Sequence, residues 1–184
     1  MSFVNAHFVT YARELGYHAM VAAGAFSLIG AAAIIGALVL GHLSDKHGRR
    51  PLLSFAYQLR SLGFIVVLLS MGVSFLDIRP LGIAPLLIGV IIVGFSWNAT
   101  VSITAAYASD RFGTSNLGVI YGVMFAVMPF GSGLGAYLGG VLYDARGDYV
   151  IAIWSNIGLL IAATGMIFFF GDRRLATADV AVAD

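Results

Sequence analysis

The chain has 184 residues, a formal net charge of +1 and no cysteine. Hydrophobic residues make up 60% of it and charged residues only 10%, against about 25% charged in an ordinary soluble domain. A water-soluble globule and a disordered chain are both excluded, leaving an integral membrane protein in contact with the lipid bilayer. A net charge near zero supplies no basic field for nucleic acid. The lack of cysteine removes disulfides, thiolate zinc sites and cysteine nucleophiles together.

Residues 1–12, MSFVNAHFVTYA, are mostly apolar but too short to cross a membrane. No basic segment precedes them and no small-residue cleavage site is clear, so a signal peptide is not expected. They read as the last turns of a helix whose beginning is missing, as an internal start site or a truncated gene would leave. Beyond them, charges fall in clusters. None occurs over 15–44, 80–109, 112–143 or 149–171, and Arg60 alone interrupts 51–76. The shortest clean gap, 149–171, gives roughly 35 Å of helix at about 1.5 Å per residue, enough for a hydrocarbon core of about 30 Å. Five spanning helices are predicted, over 20–41, 52–76, 84–107, 117–142 and 150–170. A β-barrel would need ~10-residue segments of alternating polarity. The connectors at 77–80, 111–114 and 144–148 are short and hold turn formers. The expectation is therefore an all-α membrane fold, one helical unit over 1–172 and a polar tail over 173–184.

Counting lysines and arginines orients the chain. Lys46, Arg49, Arg50, Arg111, Arg173 and Arg174 fall on one side, and Arg13, Arg79 and Arg146 on the other. The positive-inside rule then places the first connector and the C-terminus in the cytoplasm, with the chain in the cell membrane.

That first connector reads Gly41-His42-Leu43-Ser44-Asp45-Lys46-His47-Gly48-Arg49-Arg50-Pro51. Gly41 permits a close helix approach. Asp45 suits a basic partner or a helix N-terminus. Gly48 permits a tight turn, and Pro51 fits the first turn of a helix. A plainer reading is that Lys46, Arg49 and Arg50 only enforce topology, for which any basic loop serves.

Glycine, three residues, aspartate, a base, one residue, glycine and two bases resembles the signature loop of the major facilitator superfamily of secondary transporters. That loop joins helices two and three, with a second copy between helices eight and nine. Tyr11-Ala12-Arg13-Glu14-Leu15-Gly16 looks like the outer end of helix seven. The stretch from Gly139 to Tyr149, GGVLYDARGDY, is similar to the end of helix eleven in the monocarboxylate-porter-like branch. The resemblance implies helices eight to twelve of a twelve-helix fold plus a remnant of helix seven. It also implies that Asp45 and Arg49, with Gly41, Lys46, Gly48 and Arg50, form a gate on the cytoplasmic side. The aspartate would pair with bases of its own loop and with a helix N-terminus. Acid-transporting members of the branch typically carry a basic residue in helix eight, whereas the first span has no charge. No acid lies in mid-membrane either, so a carboxylate coupling transport to protons is expected in the missing half.

Small residues suggest helix packing. Ala23, Ser27, Gly30, Ala33, Ala37 and Gly41 share one side of span one. Span four has two stripes, one of Gly118, Gly122, Gly133, Ala136 and Gly140, the other of Gly131, Gly135 and Gly139. Two stripes predict helix contacts on two sides of span four, and Pro129 predicts a bend in it. The stripes fit plain packing or an interface that moves during alternating access.

Few polar residues lie within the spans. Arg60 must face protein or water; snorkelling, a structural pair and a place on the solute pathway all satisfy it. In span three, Ser96, Thr100, Thr104 and Tyr107 share one face, and Asn98 and Ser102 another. Serines and threonines there are expected to bond their own backbone. Trp97 and Asn98 need partners of their own and join Asn5, His7 and Tyr11 as candidates for the pathway.

The function expected is secondary active transport of a small organic solute by alternating access, the half fold being completed by an N-terminal half or a second copy. A non-transporting membrane subunit or truncated product is the alternative. An enzyme is not expected. The sequence has no His/Asp/Glu cluster, nucleophile elbow, zinc motif or phosphate loop, and it calls for no cofactor or metal.

Overall fold

A computed structural model of the chain describes residues 16, 18–71, 83–115, 117–147 and 150–169. Five α-helices are present among these residues, α1 (Ala19–His47), α2 (Arg49–Met71), α3 (Ile83–Phe112), α4 (Leu117–Arg146) and α5 (Val150–Phe169). All five are long and apolar enough to cross a membrane. The fold is the all-helical one expected, with each helix on its predicted span. The helix remnant at 1–12, the connector at 77–80 and the tail lie outside the described residues.

The helix ends differ from the charge pattern. His42–His47 continues α1, Asp110 to Phe112 continues α3, and Tyr143 to Arg146 continues α4. The first connector is thus two helix ends separated by one residue. Charge marks where a helix leaves lipid, but it does not stop the helix. Glycine does: Gly48 has φ 94° and ψ 148°, a region closed to residues with a side chain. Its N–H donates to the Ser44 carbonyl at 3.1 Å. Gly113 and Gly147 also take positive φ and close α3 and α4, donating to Ser109 O at 2.9 Å and Tyr143 O at 2.7 Å. Pro51 sits in the first turn of α2, as expected, and α4 runs unbroken through Pro129.

Helix α3 is central. It packs against α1 on one side and α2 on another, α5 packs on α2, and α4 touches α3 and α5 lightly. Glycines allow the closest approaches. A Cβ on Gly36 of α1 would run into the Phe95 carbonyl of α3. A Cβ on Gly94 would lie 2.5 Å from the Ile29 carbonyl, and one on Gly89 2.9 Å from the Gly63 carbonyl of α2. The face of α1 that packs carries Ala25, Ile29, Ala32, Gly36 and Leu40. It lies to one side of the small-residue stripe, of which Ala33 is buried and Ala23, Ser27 and Gly30 are exposed.

Span four touches two helices, α3 and α5, and Gly139 of its second stripe is buried, but the first stripe makes no close approach among the described residues. A Cβ at Gly118, Gly122, Gly133 or Gly140 would meet nothing within 4 Å. Small residues permit a close approach but do not by themselves supply the neighbour.

Buried apolar residues form two clusters. The larger joins Ala25 and Ile29, Phe64, Val67 and Leu68, Leu86, Val90 and Val93, and Ile153, Ile157 and Leu160. The smaller, nearer the α1–α2 joint, is Leu40, Leu53, Ala56, Ala99 and Ile103. Between them in sequence, on α2 and α3, lie the buried polar residues Arg60, Ser61 and Ser96, with buried Thr100 just inside the smaller cluster.

Candidate functional site

The α1–α2 joint gathers the ends of four helices. Ser44 is buried, donates through Oγ to the Gly41 carbonyl at 2.7 Å and accepts from Arg49 Nη1 at 2.8 Å. The same Nη1 donates to Asp45 Oδ1, one helical turn earlier. Arg49 Nε donates to Asp110 Oδ2 on the last turn of α3 at 3.0 Å. Arg49 therefore lies between two carboxylates on different helices and ties both to the start of α2. Among the described residues Asp45 accepts from Arg49, and the expected contact with a helix N-terminus is not made.

The next residue points elsewhere. Arg50 Nε donates to the Ile167 carbonyl at 2.5 Å and Nη2 to the Phe168 carbonyl. Its guanidinium carbon is 6.0 Å from the centroid of the Phe168 ring. These carbonyls end α5, where intrahelical donors run out, and a cation there also suits the helix dipole. The α1–α2 joint, the end of α3 and the end of α5 thus share one end of the bundle, the arrangement that the lysine and arginine count required. Lys46 is exposed. Gly41 is half-buried with open space at its Cβ, so the close approach expected there occurs at Gly36.

Arg60 is 5% exposed. Its side chain turns into α3 and meets one turn of that helix. Nε donates to Ser96 Oγ at 3.3 Å, and Nη2 donates to the carbonyls of Ser96 at 2.5 Å and Trp97 at 3.2 Å and to Thr100 Oγ1 at 2.8 Å. The Tyr57 ring lies 5.9 Å from its guanidinium carbon. A charge at a helix centre costs about 2.5–3.5 kcal/mol on insertion scales, and these acceptors offset part of that. Ser96 and Thr100 are buried, Thr104 and Tyr107 half-buried, and Asn98 and Ser102 exposed, so the two faces read from the spacing are distinct. Ser96, Thr100, Ser102 and Thr104 all bond backbone carbonyls of their own helix. Trp97 is half-buried against the larger cluster. Asn5, His7 and Tyr11 lie outside the described residues.

Sequence reasoning passed over Ser44, Asp110 and Gly36. Asp110 was visible only as an acid beside a predicted helix end. Its partner is 61 residues away, and no local pattern announces such a pair.

The model of the Major Facilitator Superfamily matches residues 1–183. The chain belongs to this family. Among similar proteins, an uncharacterised major-facilitator-type transporter of Bacillus subtilis is 28% identical over 83% of this chain and 36% of its own length. The class H tetracycline resistance protein of Pasteurella multocida is 31% identical over 80% and 34%. A triacylglyceride transporter of Mycobacteroides abscessus is 27% identical over 71% and 24%. The chain spans about a third of the length of the curated relatives that it matches first. This major facilitator chain is a multi-pass membrane protein of a transport family, and its family acts on small solutes within the membrane.

Proposed function

We propose that the chain supplies helices eight to twelve, the C-terminal half, of a secondary transporter that moves a small organic solute by alternating access. The observation that carries this reading is the Arg49 bridge from Asp45 to Asp110, built on the residues that resemble the family's signature loop. One guanidinium holds the ends of α1, α2 and α3 together through exposed groups, which a rocking motion can break at small cost. Asp45, Lys46, Gly48, Arg49 and Arg50, with Gly41, then form the gate, on the cytoplasmic side of the cell membrane. The bundle is completed by an N-terminal half, which also supplies any proton-coupling carboxylate, or by a second copy. Two relatives are named for tetracycline resistance and for triacylglyceride, which favours an organic solute. The Gly139–Tyr149 stretch favours the monocarboxylate-porter-like branch.

The exposed Asn98 amide supports a pathway along the open face of α3. An amide facing lipid would go unsatisfied, so it belongs against water or the rest of the fold. Trp97 and Arg60 border that level from the packed side, and Asn5, His7 and Tyr11 join the pathway on the residue types alone.

Asp45→Asn in the complete transporter tests the gate. Transport is expected to fall further than the amount of folded protein, and equal losses of the two would overturn the role. Orientation is checked with a thiol at His47, since the chain has no cysteine. An impermeant reagent is expected to label it only after the cells are opened.

A further inference from the structure

We infer that Arg60 is a positioning residue that sets the shape of the Trp97–Asn98 turn of α3 and so the presentation of the Asn98 amide. The inference rests on the reading of Asn98 as part of the solute pathway.

Among the described residues every donation that Arg60 makes goes to α3, within the single turn from Ser96 to Thr100. Two of the acceptors are carbonyls that also serve the helix's own ladder. A carbonyl that takes a second donor tilts outward and lengthens its ladder bond, which lets a side chain bend a helix locally. The neighbouring carbonyls are loaded in the same way. Val93 O accepts from Ser96, Trp97 O from Thr100, Asn98 O from Ser102, Thr100 O from Thr104, and Val101 O from Tyr121 of α4. Side chains therefore add donors to the carbonyls of α3 along this stretch, beside its own ladder.

Arg60 differs from the other donors in carrying charge and, Tyr121 apart, in coming from another helix. It also spans more than one acceptor. A planar fork reaches Ser96 Oγ through Nε and both carbonyls through Nη2, whereas a lysine ammonium is a single point. The Tyr57 ring, one turn earlier on α2, steadies the guanidinium. Asn98 follows directly on Trp97, whose carbonyl Arg60 holds, and is itself exposed. A change in the backbone at Trp97 is thus delivered at once to the Asn98 side chain.

A thiol at Asn98 reads this geometry without a known solute. Asn98→Cys is placed in the chain embedded in membranes, and its rate of reaction with a hydrophilic methanethiosulfonate reagent is compared with Arg60 intact, Arg60→Gln or Arg60→Lys. His42→Cys, exposed on α1, serves as the distant control. The Asn98 thiol is expected to react in the parent. Its rate is expected to change by roughly threefold or more in both Arg60 variants, with the His42 thiol unchanged. An unaltered rate at Asn98, or equal changes at both thiols, would overturn the positioning role, the second because general loosening explains it. A thiol at Asn98 that is inert in the parent overturns instead the pathway reading beneath it. Should Arg60→Gln fail to accumulate, Arg60→Lys decides alone, and loss of both variants makes Arg60 a folding residue and ends the inference.

Discussion

Arg49, on the first turn of α2, donates to Asp110, on the last turn of α3, at 3.0 Å, although 61 residues separate them. Their side chains are 23% and 58% exposed, and ion pairs so open to water contribute about 0.2–1 kcal/mol. Asp110→Asn is therefore expected to leave the melting temperature in detergent nearly unchanged. Transport by the complete protein is expected to fall by clearly more, and the gap to narrow as added salt screens the pair in the parent. A large fall in melting temperature would make the pair structural.

Gly36→Ala tests the approach of α1 to α3. The added methyl would meet a backbone carbonyl, that of Phe95, which cannot rotate aside. Overpacking of this kind typically costs about 1–3 kcal/mol. Gly30→Ala, on the exposed face of the same helix, meets nothing within 4 Å and is expected to be neutral. Folded yield and melting temperature of the two variants decide the matter.

Arg50→Gln removes the donors that close α5. Two carbonyls lose a partner and the Phe168 ring loses its cation. A hydrogen bond contributes about 0.5–1.5 kcal/mol net and an exposed cation–π contact about 0.5–1 kcal/mol. A melting temperature lowered more by Arg50→Gln than by Asp110→Asn is expected, because Arg50 holds a helix end and Asp110 only an exposed pair.

Gly48→Ala forces a side chain into a backbone region that glycine alone enters readily. The strain is about 1–3 kcal/mol, and relieving it by rotating the joint would carry Arg49 away from Asp110. Both transport and folded yield are expected to drop. An alanine variant with parental melting temperature and transport would show that the joint tolerates another geometry.

The sequence made the number, order and approximate place of the helices legible, because burial in lipid demands long apolar stretches and puts charges at their ends. It showed the motif that matches the family and required Arg60 to find partners. It did not show where the helices stop, since the signal for that is a glycine geometry and not a loss of hydropathy. Nor did it show that α1 packs beside its small-residue stripe instead of on it. Periodicity identifies a stripe, but which side faces a neighbour depends on the neighbour.

By itself, the order of residues determined that this protein lies in the bilayer as helices and carries a conspicuous charged joint. Hydropathy and spacing are local quantities and suffice for both. Only the tertiary structure decided that Arg49 reaches Asp110, that Arg50 closes α5, and that Arg60 holds the carbonyls of α3. Each of these contacts joins residues far apart in the chain. Whether they meet depends on how the helices rotate and register when they pack, which no single helix encodes.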